Sequence, residues 1–173
     1  MIDGVYNKYE VDIKYPLINE IDIAVMRTNS FEPLTPVSNI DFSSEGVILG
    51  QEVFFLGFPF EYDGLLAHYP NSNSPLPFVK KATMSGILTP APSLLVLDGY
   101  NNPGFSGGPV CFKRRDGKFS IAGVVSGYRI GRIPVFDKTN EMELDCFVKE
   151  NAGIINAYDI SFAVQIADSW DEK

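Results

Sequence analysis

The sequence predicts an all-β protein, a barrel or a sandwich, and three observations predict it. Short runs rich in Val, Ile, Phe and Tyr recur along the chain, punctuated by Pro, Gly, Asn and Ser, which is the pattern of short strands joined by turns. Hydrophobic residues make up 45% and aromatic residues 13% of the 173 positions. That is enough for one packed domain and too much for a disordered chain. No amphipathic helical period appears before the C-terminus, where residues 164–170 predict one short helix.

The elements follow in order. Residues 11–15 alternate apolar and polar side chains, as a half-buried strand does. Residues 21–26 alternate only at their start, where Glu20 and Asp22 flank Ile21, and are continuously apolar from Ile23 to Met26. Residues 53–60 are apolar enough for a strand buried on both faces. Residues 78–88, 94–97, 109–112 and 119–126 complete the ladder. Asp116-Gly117 between the last two predicts a hairpin turn, because the pair supplies the positive φ such turns need. Two stretches read as loops. Residues 62–77 are rich in Pro, Asn and Ser, and residues 132–153 are polar without a clean period, an insertion before a last strand.

Charge and composition exclude several functions. The net charge of −8 and pI of about 4.6 argue against nucleic acid and anionic membrane as partners, since both attract basic surfaces. No stretch approaches the roughly 20 apolar residues of a membrane span. Met1-Ile2-Asp3-Gly4 has neither the basic patch nor the apolar run of a signal peptide. Cys111 and Cys146 make no disulfide framework and no metal cluster; reduced thiols fit a cytoplasmic compartment. The sole histidine, His68, is too little for a metal site. No metal or organic cofactor is expected.

The richest stretch chemically is Asn102-Pro103-Gly104-Phe105-Ser106-Gly107-Gly108-Pro109-Val110. Glycines permit positive φ and close approach of other groups. A nucleophilic serine needs both, because the N–H groups beside it must converge on the oxyanion that forms on attack. The other reading of Ser106 is a small residue in a tight glycine turn. The segment resembles the nucleophile motif of trypsin-like (chymotrypsin-fold) serine peptidases, in particular the HtrA/Deg-type bacterial members. Further segments resemble that family in its order. Residues 21–26 are similar to the strand that carries the triad aspartate. Residues 50–59 resemble the segment that closes the first barrel. Residues 121–126 resemble the substrate-lining strand, and residues 160–164 resemble a strand near the domain's end.

The resemblance implies a two-barrel antiparallel fold in one domain, 1–173. Residues 1–61 would be the remainder of an incomplete first barrel and residues 78–166 the second barrel. It also implies roles. Ser106 would be the nucleophile and Asp22 the carboxylate that orients a histidine. The amides of Gly104 and Ser106 would form the oxyanion hole. Tyr100 would floor the substrate pocket, with Ser126, Tyr128 and Ile160 on its walls, a small apolar pocket that favours Val, Ala or Ile. Ser126 would also bond the aspartate, and Asp98 would shape the approach to the nucleophile loop. Phe105 departs from the Asp or Asn that relatives carry there.

One departure governs the function expected. The family places its histidine before the aspartate, yet none of the 21 residues before Asp22 is His. His68 follows it, in a stretch that reads as a linker. The expectation is a serine endopeptidase working through an acyl-enzyme on peptide or protein substrates, truncated or impaired in this chain. The alternative is an inactive homologue that binds peptides or proteins. Three explanations stay open: a longer protease with the histidine upstream, a degenerate homologue, or an oligomer or second chain that completes the first barrel and the site.

Overall fold

The structure, a computed structural model, describes residues 10–28, 40–59, 76–89, 93–139 and 143–170. In chain order its elements are β1 (Asp12–Lys14), β2 (Val25–Arg27), β3 (Asp41–Phe42), β4 (Glu52–Gly57), β5 (Phe78–Leu88), β6 (Leu94–Asp98), β7 (Pro109–Lys113), β8 (Phe119–Phe136), β9 (Glu143–Asp159) and α1 (Ser161–Asp168). The all-β expectation holds.

Strands β8, β7, β4, β5, β6 and β9 are neighbours in that order, and β8 pairs again with β9, so six strands close into a barrel. Every pairing around it is antiparallel. Closure leaves no free edge within the ring. The period of two decides what points inward. Val53 and Phe55 of β4, Met84 of β5, Leu95 and Leu97 of β6, Val110 and Phe112 of β7, Val125 of β8 and Ile155 of β9 form one buried cluster. Burying a side chain of this size stabilises by roughly 1.5–3 kcal/mol. The predicted Asp-Gly turn joins β7 to β8. Gly117 has φ +86°, and the Lys118 amide donates to Asp116 Oδ1 at 3.0 Å.

Four expectations need correction. Strand β4 does not close a first barrel; it lies between β5 and β7 in the same ring as the strands after it. Its apolar run is real on both faces, because Phe54 and Leu56 point outward into an apolar groove of about 650 Å³ shared with Val79, Phe119 and Ile121. The strand predicted over 21–26 shrinks to β2, which among the described residues pairs only with β1. The segment 160–164 is not a strand. β9 ends at Asp159, whose carboxylate accepts from the Ser161 amide at 2.8 Å, and α1 starts three residues earlier than the helix predicted from 164. Its Phe162, Ala163 and Ile166 pack with Ile21, Ile23 and Tyr158 in a second cluster.

The fourth correction concerns residues 132–153. Most of their described residues are strand: β8 and β9 run on past the barrel as a two-stranded arm, with Ile133 opposite Val148 and Pro134 opposite Phe147. The arm buries neither face; residues 143–150 are all exposed. With no inward row, nothing imposes an apolar period on its sequence. The stretch 62–77 lies almost entirely outside the described residues, and so does His68.

Candidate active site

Strands β6 and β7 are consecutive in sequence but not neighbours in the ring, since β5 and β4 stand between them. The link between them, residues 99–108, therefore has to cross one end of the barrel. Phe105 anchors it. The ring is fully buried and meets Phe55 edge-on, with centroids 5.0 Å apart. Gly104, at φ +100°, then lies against the end of β4. Its carbonyl accepts from the Phe58 amide at 3.0 Å, and a Cβ there would stand 2.3 Å from the Phe58 carbonyl oxygen. At Gly108 an added Cβ would stand 1.9 Å from the Leu56 carbonyl oxygen. Only glycine permits so close an approach of two backbones.

Strand β8 holds the other side. The Gly107 amide donates to the Val125 carbonyl at 2.8 Å, and the Val125 amide returns a bond to Gly108 at 2.9 Å. Within the loop, the Gly108 amide donates to Phe105 at 2.9 Å and the Phe105 amide to Asn102 at 3.4 Å. Ser106 is left exposed at the tip, with its hydroxyl donating to the Ser126 carbonyl at 3.1 Å. Among the described residues, the amides of Gly104 and Ser106 make no hydrogen bond. They are the two amides expected to receive an oxyanion.

The other expected site residues lie at different depths. Asp22 occupies the middle of a tight turn closed by Ile23 N–H to the Ile21 carbonyl, at 3.0 Å. The flanking isoleucines are buried and the aspartate is exposed, beside a concavity of about 340 Å³ shared with Tyr15, Ile18 and Asn19. Among the described residues no bond joins Asp22 to Ser126. Tyr158 ties this segment to the barrel, because its hydroxyl donates to the Glu20 carbonyl at 2.8 Å. Tyr100 is 59% exposed. Ser126 and Tyr128 are half-buried on β8, with Tyr128 opposite Ile155. Ile160 is buried, and its amide donates to Ala122 at 2.9 Å, four residues or about 13 Å along β8 from Ser126. Asp98 is exposed at the end of β6.

Two residues escaped the sequence reading. Asn101 is buried; its side-chain oxygen accepts from the Asn102 amide at 2.8 Å. Lys80 of β5 reaches the same segment, donating to the Tyr100 carbonyl and to Asn102 Oδ1 at 2.7 Å. A signal for Lys80 existed, since it shares the strand parity of the inward-facing Ala82 and Met84.

No family model matches the chain, and no curated protein matches it either. A solved structure does. The chain is similar to Rv3671c of M. tuberculosis H37Rv, a serine-to-alanine mutant in its inactive form, with a TM-score of 0.52 and 13% identity; the match covers 93% of this chain and 64% of that one. The fold is that of a trypsin-like peptidase. This chain thus spans somewhat less than two thirds of the peptidase-fold chain it matches.

The peptidase fold also sorts the two thiols. Cys111 lies half-buried on the outer face of β7, in the groove it shares with Phe54 and Leu56, where partial burial raises its pKa above the ordinary thiol range, whereas Cys146 is exposed on the arm. Alkylation by iodoacetamide near pH 8 is therefore expected to modify Cys146 promptly and Cys111 more slowly. The half-buried neutral thiol also makes folding pH-dependent. Its contribution is complete below the unfolded thiol's pKa and is lost as pH rises through the higher folded value. Equal modification rates at the two cysteines, read by peptide mass, would contradict this placement.

Proposed function

We propose that the chain carries the nucleophile, oxyanion-hole and carboxylate parts of a serine endopeptidase site. Ser106 Oγ attacks the carbonyl carbon of the scissile peptide, and the amides of Gly104 and Ser106 receive the oxyanion. A histidine takes the hydroxyl proton and returns it to the leaving amine, with Asp22 holding the imidazole. The product is an acyl-enzyme that water then hydrolyses. The observation that carries this reading is the loop tip. One serine is exposed there, and the two amides beside it stay unbonded while their neighbours are all satisfied. Support for Asp22 is indirect: its segment is tied to β9 by Tyr158, which lies opposite Val124, two residues before Ser126.

The histidine is not among the described residues, and the Ser106 hydroxyl rests on a carbonyl instead of a base. That resting bond favours a second reading, a homologue that uses the same surface around Ser106 to bind peptides. The two readings share a preference for small apolar residues such as Val, Ala or Ile at the bound position, set by Tyr100, Ser126 and Tyr128; Ile160, about 13 Å along β8 from Ser126, does not reach it.

Labelling with a serine-directed fluorophosphonate tests the first reading. Slow modification confined to Ser106, abolished by Ser106→Ala, is expected of the chain as it stands. A residual acceleration of about 10³–10⁴ over water is what a site without its histidine retains. Labelling spread over other serines, or none at Ser106, would leave only the binding reading. Rapid stoichiometric labelling at Ser106 would reveal a base in the chain, and His68→Ala would then identify it.

A further inference from the structure

We infer that Lys80 is a positioning residue of the Ser106 site, its ammonium group fixing residues 100–105 to strand β5; the inference rests on the reading of Ser106 as the nucleophile. Lys80 stands opposite Phe55 in the β4–β5 pairing, at the barrel end that the loop crosses. From there Nζ donates to the Tyr100 carbonyl and to Asn102 Oδ1. It also lies over two rings, 5.3 Å from the Tyr100 centroid and 5.5 Å from that of Phe105. One ammonium thus touches three of the six residues that precede Ser106.

The chemistry suits a clamp. An ammonium offers three donors, and two of them are used here on one loop. Partial burial lowers the pKa of Lys80, a cost that the carbonyl, the amide oxygen and the two ring faces offset. Among the described residues no carboxylate pairs with it. The cation is met instead by the ring faces of Tyr100 and Phe105 and by loop oxygens. The effect passes on to the nucleophile through the backbone, because Asn102, held by Lys80, accepts from the Phe105 amide, and Phe105 accepts from Gly108.

Amide hydrogen exchange on the whole chain tests the assignment without requiring catalysis. In Lys80→Met, the amides of Phe105, Gly107 and Gly108 are expected to exchange about tenfold faster, the size of one lost charged hydrogen bond. Amides of Leu95, Leu97 and Ile155 in the barrel should stay close to their original rates. Lys80→Arg, which keeps charge and donors, should restore most of the loop's protection. Should Lys80→Met fail to fold, Asn102→Leu removes one of the two acceptors, leaves Lys80 in place, and should show the same pattern more weakly. Unchanged loop exchange, equal acceleration across the barrel, or no rescue by arginine would overturn the role of Lys80. Because exchange is blind to reactivity, such a failure leaves the peptidase reading standing. Failure of fluorophosphonate to label Ser106 removes that reading and leaves the clamp.

Discussion

Gly104→Ala is expected to destabilise the chain by about 3–5 kcal/mol, and Gly107→Ala by only about 1–2 kcal/mol. Both glycines flank the serine and both have positive φ, +100° and +83°. Each alanine therefore meets the same backbone strain. What separates them is space. A Cβ at Gly104 would stand 2.3 Å from the Phe58 carbonyl oxygen and 2.7 Å from Pro59 Cα, whereas nothing lies within 4 Å of one at Gly107. The obstructing atoms are backbone, so no side chain can swing aside. The loop would have to lift off the end of β4, breaking the bond from the Phe58 amide to Gly104. Urea titration of the two variants measures the difference. Equal losses would mean that the loop does not rest on β4, and the geometry drawn for the oxyanion amides would fall with it.

Phe105→Ala should cost a further about 3–5 kcal/mol, the usual loss for a buried phenylalanine. The ring is fully buried at the barrel end and contacts Phe55. Its removal opens a cavity under the residue that precedes the serine. A double-mutant cycle with Phe55→Leu should give a coupling of about 0.5–1.5 kcal/mol, as edge-on aromatic pairs do. Additive losses would show that the two rings do not support one another. The same variant should reduce fluorophosphonate labelling of Ser106, because the loop then lacks its anchor. Stability and labelling falling together would tie the site to the core.

Much of this was legible in the sequence, for reasons visible in particular residues. The barrel strands with one face on the core carry their alternation plainly: Val53 and Phe55 in β4, Leu95 and Leu97 in β6, Val110 and Phe112 in β7. The Asp116-Gly117 turn was legible because φ beyond +20° selects few residues. The arm was not. Its apolar residues, such as Ile133, Phe147 and Val148, are partly exposed, so its order comes from cross-strand pairing, which leaves no periodic trace in a single strand. β4 was recognised as a strand but assigned to the wrong neighbours, because an apolar run reports burial and not which partners do the burying. Residues 160–164 read as β because Ile160-Ser161-Phe162-Ala163-Val164 resembles a strand segment of the peptidase family. The spacing of Phe162 and Ile166, four apart on one helix face, was the better guide. In the site, the glycine motif disclosed Ser106 and its loop. Lys80 stayed hidden because its partners are a carbonyl, an amide and two rings some 20 positions away, and no motif encodes them.

The closed ring has a consequence in time. β9 is the last strand of the ring to be made, and it joins β6 to β8: Leu94–Asp98 on one side, Gly123–Tyr128 on the other. Until residues 154–159 leave the ribosome, those two strands are the open edges of an unfinished sheet, exposed to pairing with other chains. The loop that carries Ser106 starts from β6 and leans on Val125 and Ser126 of β8. Its two supports are therefore held in place by the last strand of the ring to be made. A nascent chain halted before that segment contains the whole nucleophile motif and has not yet built the site.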